Sequence, residues 1–150
     1  MSAAKKTFAK PKITVRNLQR SVRVEIAPLQ RFADSALGVC LRLKKKSALT
    51  RFDEISVLLI SDPRMAALHR QFLQTKGTTD VITFQHGEIF MSAETARKNA
   101  SRFGTTLERE LCLYVVHGLL HLDGFDDATM AGSKEMKTTQ EKILAAAMER

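Results

Sequence analysis

The sequence predicts a single α+β domain, in which a small mixed β-sheet of about four strands packs with about five helices. Short segments of alternating apolar and polar residues, typical of strands, lie between longer segments whose apolar residues recur at helical spacing. The length of 150 residues suits one domain, and no internal repeat or Pro/Gly-rich linker divides it. No apolar run approaches the roughly 18 residues of a membrane span, so we expect no membrane-spanning segment.

The first predicted elements are a strand and a long helix. Residues 12–18 alternate apolar and polar side chains, as an edge or half-buried strand does, and residues 22–43 carry apolar residues at helical intervals. Lys44, Lys45 and Lys46 follow, where the negative end of a helix dipole favours cations. We interpret this lysine run as the solvated end of the helix.

An interior strand and a second helix come next. Residues 54–61 are β-branched and apolar, which predicts a buried strand. Asp62 and Pro63 are typical of an N-cap followed by the first helical residue. The helix that they begin is predicted to run to about Gln74.

The second half of the chain predicts a hairpin and three helices. Residues 80–84 and 88–92 have the composition of strands, and residues 85–87 predict the turn between them. The three helices are predicted at residues 92–104, with Gly104 as the end, at residues 107–122, with Thr106 as the cap, and at residues 128–150.

Charge is distributed unevenly along the chain. The sequence carries 24 Lys and Arg against 16 Asp and Glu, a net charge of +8, but residues 1–51 hold 13 basic and only 2 acidic residues. A basic segment attracts polyanions, because lysine and arginine displace condensed counterions from phosphates. Charge alone therefore indicates nucleic acid or an anionic lipid surface as a partner, without indicating a function.

The N-terminal segment and the cysteines bear on localisation. Residues 1–11 predict a basic flexible tail and residues 12–150 the single domain. The tail lacks the apolar core of a secretory signal, so we expect a cytoplasmic protein. Cys40 and Cys112 each lie among apolar neighbours, and we expect both to be reduced core residues.

A metal site is predicted on the helix at residues 107–122, which is apolar over its C-terminal part except for His117 and His121. Because the two imidazoles are one turn apart on one face, with Cβ atoms about 5–6 Å apart, both can bind one ion. Gly124 suits the left-handed residue that ends a helix, and the turn it makes can return Asp127 to the same ion. Two histidines and a carboxylate leave a fourth tetrahedral position for water, the pattern of a catalytic site for one Zn²⁺.

The alternative is that both histidines are ordinary hydrogen-bonded core residues. Burying two adjacent imidazoles without partners is costly, which favours the metal. Gly118 costs about 1 kcal/mol relative to alanine in a helix interior, and it is explained if something passes close to the backbone beside the metal. Glu110 lies on the same face as His117 and is a candidate for supporting the ligands by hydrogen bonding. No catalytic side chain is predicted beyond the water on the metal.

The segment from His117 to Asp127 closely resembles the HGxLHLxGYDH motif of the YbeY family of endoribonucleases and rRNA maturation factors. Residues 79–84 resemble that family's TDVLSF strand, and residues 87–89 resemble its GDI strand. Residues 109–111 resemble the REL that precedes the metal helix, and residues 135–136 and 140–144 resemble the closing helix. The resemblance implies a zinc-dependent, single-strand-specific endoribonuclease that matures the 3′ end of small-subunit rRNA in ribosome biogenesis. Its implied partners are rRNA, the small ribosomal subunit and ribosome-associated proteins, without a nucleotide cofactor.

One departure from the family pattern lies in the metal motif. Asp127 stands where the family has its third metal-binding histidine, so the predicted ligands are His117, His121 and Asp127. Asp127 is preferred over Asp126 because its spacing matches the motif. Aspartate is an ordinary zinc ligand, but its negative charge lowers the power of the ion to acidify bound water.

A second departure lies before the TDV segment, where the family reads LNxxYRxKDxPTDV with a basic residue facing the active-site channel. Leu73 stands in place of the arginine and Thr75 in place of the lysine. We therefore take Arg70 and Lys76 as the candidates for binding the substrate.

Two other functions remain open from the residues. The histidine spacing is also similar to that of metzincin peptidases, but Gly118 occupies the position of their glutamate base, and the positive charge opposes a peptidase. A non-catalytic, ribosome-associated RNA-binding factor with a structural metal is favoured by Leu73.

Overall fold

The computed structural model describes residues 10–73 and 80–148, and this part of the chain forms four strands and five α-helices. The predicted α+β class is confirmed. A short 3₁₀ helix, Ala48–Arg51, lies between the first helix and the second strand. The elements are β1 Lys12–Asn17, α1 Ile26–Leu43, β2 Glu54–Ile60, α2 Asp62–Leu73, β3 Val81–Phe84, β4 Glu88–Ser92, α3 Ala93–Phe103, α4 Leu107–Leu122 and α5 Met130–Met148.

The strands form one mixed sheet in the order β1-β2-β4-β3. β2 pairs in parallel with both β1 and β4, whereas β3 pairs antiparallel with β4. β1 therefore lies at an edge and β2 in the interior, as their residue patterns predict. β3 and β4 form the predicted hairpin, and Gly87 in its turn has a φ of 99°, a conformation that favours glycine.

The first helix begins later than predicted, at Ile26 instead of residue 22. Pro28 explains the difference, because proline is accommodated in the first turn of a helix but clashes with the preceding turn farther in. The chain before the helix is held by the Gln19 side chain, which donates to the Val22 carbonyl and accepts from its N–H. α5 likewise begins at Met130 instead of residue 128.

Asp62 does not cap α2 as predicted. The Ser61 hydroxyl accepts a hydrogen bond from the first turn of α2, and the Asp62 carboxylate instead accepts from Ser92, Thr95 and Lys98. Burial raises the pKa of Asp62, but these three hydrogen bonds and the Lys98 charge outweigh it and lower the pKa. The carboxylate thus ties the start of α2 to the start of α3.

Several predictions fall at or beyond the limits of the described residues. Of the predicted tail, residues 1–11, only Lys10 and Pro11 are described, and Pro11 is buried. Gln74, Thr75 and Lys76 lie outside the described residues. Within the described part, no helix combines the length and apolar character needed to cross a membrane.

The cysteines are free and buried, as predicted. Burial raises the pKa of the Cys40 thiol to about 12 and that of the Cys112 thiol to about 11. Both thiols are therefore protonated and unreactive near neutral pH.

Helix α4 is the centre of the packing, because it contacts α1, α3, α5, β3 and β4. It approaches the sheet closely at Gly118, where an added Cβ would lie 2.6 Å from Cγ2 of Ile89 on β4. Ile89 is fully buried and β-branched, so it has little freedom to move away. The expectation that something passes close to this glycine is correct, but the neighbour is a core side chain of the sheet.

Replacement of Gly118 by alanine should destabilise the protein. Overpacking costs about 1–3 kcal/mol, and the better helix propensity of alanine offsets only about 1 kcal/mol of this. We expect a lower free energy of unfolding for Gly118→Ala in urea titrations. In an Ile89→Ala background the same change should be neutral or stabilising, because the space is then available. An equal cost in both backgrounds would contradict the packing argument.

Candidate metal centre

The predicted helix end at Gly124 is confirmed. Gly124 has a φ of 95°, and its N–H donates to the His121 carbonyl at 3.1 Å, while the Phe125 N–H donates to the Leu120 carbonyl at 2.9 Å. This pair of bonds is a Schellman motif, which reverses the chain directly after α4. We call residues 123–127, which include Asp127, the metal turn.

The three predicted ligands converge. Nε2 of His117 lies 3.0 Å from Nε2 of His121, and a carboxylate oxygen of Asp127 completes a group whose ligand atoms all lie within 4.8 Å of one another. Tetrahedral zinc with bonds of about 2.0–2.1 Å places its nitrogen ligands roughly 3.3 Å apart, close to the spacing of the two histidines. The carboxylate oxygen of Asp127 lies farther from the two nitrogens than they lie from each other. Because Asp127 is exposed, its side chain can rotate to bring this oxygen closer. The group therefore fits a small divalent cation.

The two histidine rings are oriented with their Nε2 atoms towards each other. Nδ1 of His117 lies 2.9 Å from Oε1 of Gln140, and an amide oxygen only accepts, so Nδ1 carries the proton. His121 hydrogen-bonds to the backbone of Phe125, and because its Nε2 faces His117, Nδ1 is the nitrogen that remains for this contact. The two Nε2 atoms face each other at a distance from which both can bind one cation.

The His121 imidazole is held neutral. Burial lowers its pKa, and the adjacent His117 lowers it further, while Asp127, Asp126 and the Phe125 backbone act in the opposite direction with smaller effect. A neutral imidazole is the form that binds metals. The local environment therefore favours coordination at neutral pH.

The neighbouring aspartates Asp123 and Asp126 accept hydrogen bonds from other parts of the protein. Oδ1 of Asp126 accepts from the Ala128 N–H at 2.8 Å. Asp123 is buried, and its Oδ1 accepts from the Ser47 hydroxyl at 2.9 Å and the Ala48 N–H at 2.7 Å. The contact with Asp123 joins the metal turn to the 3₁₀ helix of the basic N-terminal third.

The metal turn is also fixed from the side of α5. A Cβ at Gly132 would overlap the carbonyl oxygen of Asp126, so the backbones approach each other more closely than any other residue allows. The Gly132 N–H itself donates to the Thr129 hydroxyl at 2.9 Å. Glycine at this position thus lets the start of α5 pack directly on the metal turn.

Not all of the predicted supporting residues lie at the site. Glu110 is buried two turns before His117, about 10 Å along the helix, and its carboxylate accepts from the Thr105 hydroxyl at 2.6 Å. Gln140, not Glu110, is the residue that supports His117. The sequence did contain a signal for Gln140, since it is a polar residue at helical spacing among the apolar positions of α5: Met136, Ile143, Leu144 and Ala147.

Of the two substrate-binding candidates, only Arg70 is among the described residues. Arg70 is exposed in the last turn of α2. Lys76 lies outside the described residues, and so does the side chain of Leu73. The lysine run is exposed at the end of α1, as predicted, and Lys44 in addition donates to the Asp123 carbonyl of the metal turn at 3.3 Å.

Comparison with known proteins agrees with this arrangement. Residues 14–148 match the family model described as Endoribonuclease YbeY. The chain belongs to the endoribonuclease YbeY family. The family resemblance predicted from the metal motif is thereby confirmed, and the YbeY match extends through most of the basic N-terminal third.

Individual YbeY relatives cover most of the chain. The Endoribonuclease YbeY of Bacteroides fragilis is 35% identical over 102 residues, 63% of this chain and 73% of the relative. That of Lacticaseibacillus casei is 33% identical over 119 residues, 68% of this chain and 78% of the relative. The solution structure of TM1509 from Thermotoga maritima superposes with a TM-score of 0.61 at 28% identity and covers 89% of each chain.

Removing the Gln140 side chain should weaken metal binding without abolishing it. Loss of a hydrogen-bond partner of a ligand histidine typically lowers metal affinity about 10–100-fold. We expect this loss for Gln140→Ala in chelator-competition titrations, and retention of affinity for Gln140→Glu, which keeps an acceptor. Gln71→Ala, at an exposed position of α2, is the matched control. Equal affinities for Gln140→Ala and Gln71→Ala would contradict the role of Gln140.

The lowered pKa of His121 predicts a pH dependence of stability. In the unfolded chain His121 takes up a proton near pH 6.5, whereas the folded metal-free protein does so only at lower pH. The unfolded state therefore binds more protons below about pH 6.5, and the free energy of unfolding must fall as the pH decreases from there. Urea titrations of the chelator-treated protein between about pH 5 and 8 should show this decline. A His121→Gln variant should show a shallower decline in the free energy of unfolding. Parallel profiles of the parent and the variant would contradict a lowered pKa of His121.

Proposed function

We propose that the protein is a zinc-dependent endoribonuclease that cleaves single-stranded RNA during maturation of the 3′ end of small-subunit rRNA, in the cytoplasm and in association with the ribosome. The observation that carries the proposal is the convergence of His117, His121 and Asp127 in a member of the YbeY family. As a family member, the protein is a nuclease of the hydrolase class, with RNA as its substrate.

The donor set supports zinc. Two imidazole nitrogens and one carboxylate oxygen are typical of a catalytic zinc site, in which three protein ligands leave one position open. Zn²⁺ bound in such a site lowers the pKa of water and polarises a phosphoryl oxygen. His117, His121 and Asp127 would hold the ion, and Gln140 would fix the His117 ring with Nε2 towards it.

The residues around the ligands prepare the site for an anionic substrate. Burial lowers the pKa of His121 and favours its neutral form, and Asp127 contributes the one carboxylate of the candidate ligand group. The basic N-terminal third supplies the long-range attraction for the RNA backbone. Arg70, exposed at the end of α2, and Lys76 stay candidates for contacts with the strand.

The two alternative functions are less well supported. A metzincin-like peptidase needs a carboxylate base beside the first histidine, but that position is Gly118, which is packed against Ile89. A structural metal in a non-catalytic binding factor is ordinarily enclosed by four protein ligands, whereas this group has three and one of them is exposed.

The proposal predicts that the purified protein contains about one zinc ion per chain and cleaves single-stranded RNA more readily than duplex RNA. His117→Ala should lower both the zinc content and the cleavage to background, because it removes a ligand. His86→Ala, at an exposed histidine in the β3–β4 turn, is the matched control and should behave as the parent does.

Other outcomes distinguish the alternatives. Cleavage of a peptide library that a zinc chelator abolishes, without RNA cleavage, would support the peptidase. RNA binding that survives His121→Ala, with no cleavage by the parent, would support the binding factor. A folded parent that takes up no metal would refute the zinc site.

A further inference from the structure

A groove runs along the metal turn on the side of α1 and α5. It consists of two cavities of 340 and 300 Å³ that share Lys44, Phe125 and Glu135 in their walls. The first cavity lies between α1 and α5, and the second extends to Asp126, the residue before the ligand Asp127. Cavities that hold small ligands measure about 300–1,000 Å³, so each has room for a group the size of a nucleotide. We call the two cavities together the Lys44 groove.

Two cations border the Lys44 groove, one on each of the helices that form it. Lys44, the C-cap of α1, is exposed, and its Nζ lies 5.6 Å from the centroid of the Phe125 ring. Lys142 is exposed on α5. Among the described residues, neither lysine forms an ion pair with a carboxylate. The buried carboxylate of Asp123 is directed to Ser47 and Ala48 and does not neutralise them.

The walls of the Lys44 groove offer apolar and aromatic surface beside these cations. Phe125 is half-buried and lines both cavities, so bases in either cavity can contact its ring. Leu43 at the rim is 54% exposed, an unusual exposure for a large apolar side chain. An aromatic ring flanked by lysines is the combination that binds single-stranded nucleic acid, with stacking for the base and charge for the phosphate.

We propose that the Lys44 groove binds nucleotides of the single-stranded RNA substrate that flank the scissile phosphate. A base contacts Phe125, and the adjacent phosphates pair with Lys44 and Lys142. The proposal rests on the proposed function, because it takes RNA as the ligand. It deepens that function by naming a surface next to the metal turn that holds the strand.

The carboxylates at the Lys44 groove favour RNA over an acidic protein segment. Glu135 lines both cavities and Asp126 lines the second, and neither forms an ion pair with a described cation. Carboxylates repel acidic side chains and phosphates alike, but they accept hydrogen bonds from the exocyclic amino groups of bases, which the acidic side chains of a protein segment cannot donate. A strand that places bases near Glu135 and phosphates near the lysines satisfies both kinds of group.

The test compares two double variants that lose the same charge. Lys44→Ala/Lys142→Ala removes the cations of the groove, whereas Lys134→Ala/Lys137→Ala removes two exposed lysines of α5 that do not line it. Binding of a short labelled single-stranded RNA is measured by fluorescence anisotropy over a range of salt concentrations, in the presence of chelator to prevent cleavage. Circular dichroism checks that each variant is folded.

We expect the groove variant to bind RNA about tenfold more weakly than the control variant. The slope of log K against log salt should become shallower by about 1.4, since each phosphate contact on a single strand contributes about 0.7. A Lys44→Arg/Lys142→Arg variant should retain the parent affinity. Equal affinities and slopes for the two alanine variants would overturn the proposal, because the effect would then be one of net charge.

A second pair of variants tests the aromatic contact. Phe125→Leu should weaken RNA binding at least about fivefold, and Phe125→Tyr should retain it, because stacking on an aromatic side chain typically contributes about 1–3 kcal/mol per base. Equal binding by both variants would show that no base contacts the ring and would overturn that part of the proposal.

Cleavage by the zinc-loaded parent separates this proposal from the proposed function. Parent cleavage together with equal RNA binding by the two lysine variants refutes the groove and leaves the nuclease. Absence of cleavage together with the expected loss of binding refutes the nuclease and leaves an RNA-binding groove. An acidic peptide that binds the parent but not the groove variant, with RNA binding unchanged, would assign the groove to a protein partner and overturn the proposal.

Discussion

The close approach of Gly118 to Ile89 is the constraint on which the metal centre depends. It sets how deeply α4 lies against β4, and therefore where the residues on either side of Gly118 project. His117 and His121 lie on the same helix one turn apart, so a shift of α4 away from the sheet would move both relative to α5. Gln140 on α5 reaches His117 only because that distance is fixed. The packing of the core thus determines the geometry of two ligands and their hydrogen-bond partner.

The third ligand is positioned by a different mechanism, because Asp127 is exposed and lies outside the core. Its location depends on backbone contacts of the metal turn. The Schellman bonds reverse the chain, Asp123 anchors the turn to the 3₁₀ helix, and Gly132 lets α5 approach the Asp126 carbonyl. Two ligands are therefore held by side-chain packing and one by a turn, which gives the carboxylate more freedom to adjust to the ion than the imidazoles have.

Much of this arrangement could be predicted from the sequence, and the reason lies in the range of the interactions. The strands, the hairpin and the end of α4 at Gly124 follow from local periodicity and turn chemistry. The convergence of His117, His121 and Asp127 was predictable because all three residues lie in one short segment. Gln140 and Asp123 were missed, since their roles depend on contacts between elements far apart in the chain. Glu110 was misassigned because sharing a helix face does not bring residues two turns apart into contact.

The substitution of aspartate for histidine in the metal motif connects the site to the charge distribution of the chain. With Asp127 as a ligand, as proposed, and Asp126 beside it, the centre would attract a phosphate less than one with three neutral ligands would. The missing attraction has to come from cations outside the ligand set. Lys44 belongs to the basic N-terminal third, and yet the fold brings its amine to the carbonyl of Asp123 and over Phe125. One lysine of the basic N-terminal third, remote from the candidate ligands in sequence, therefore contacts the turn that carries Asp127.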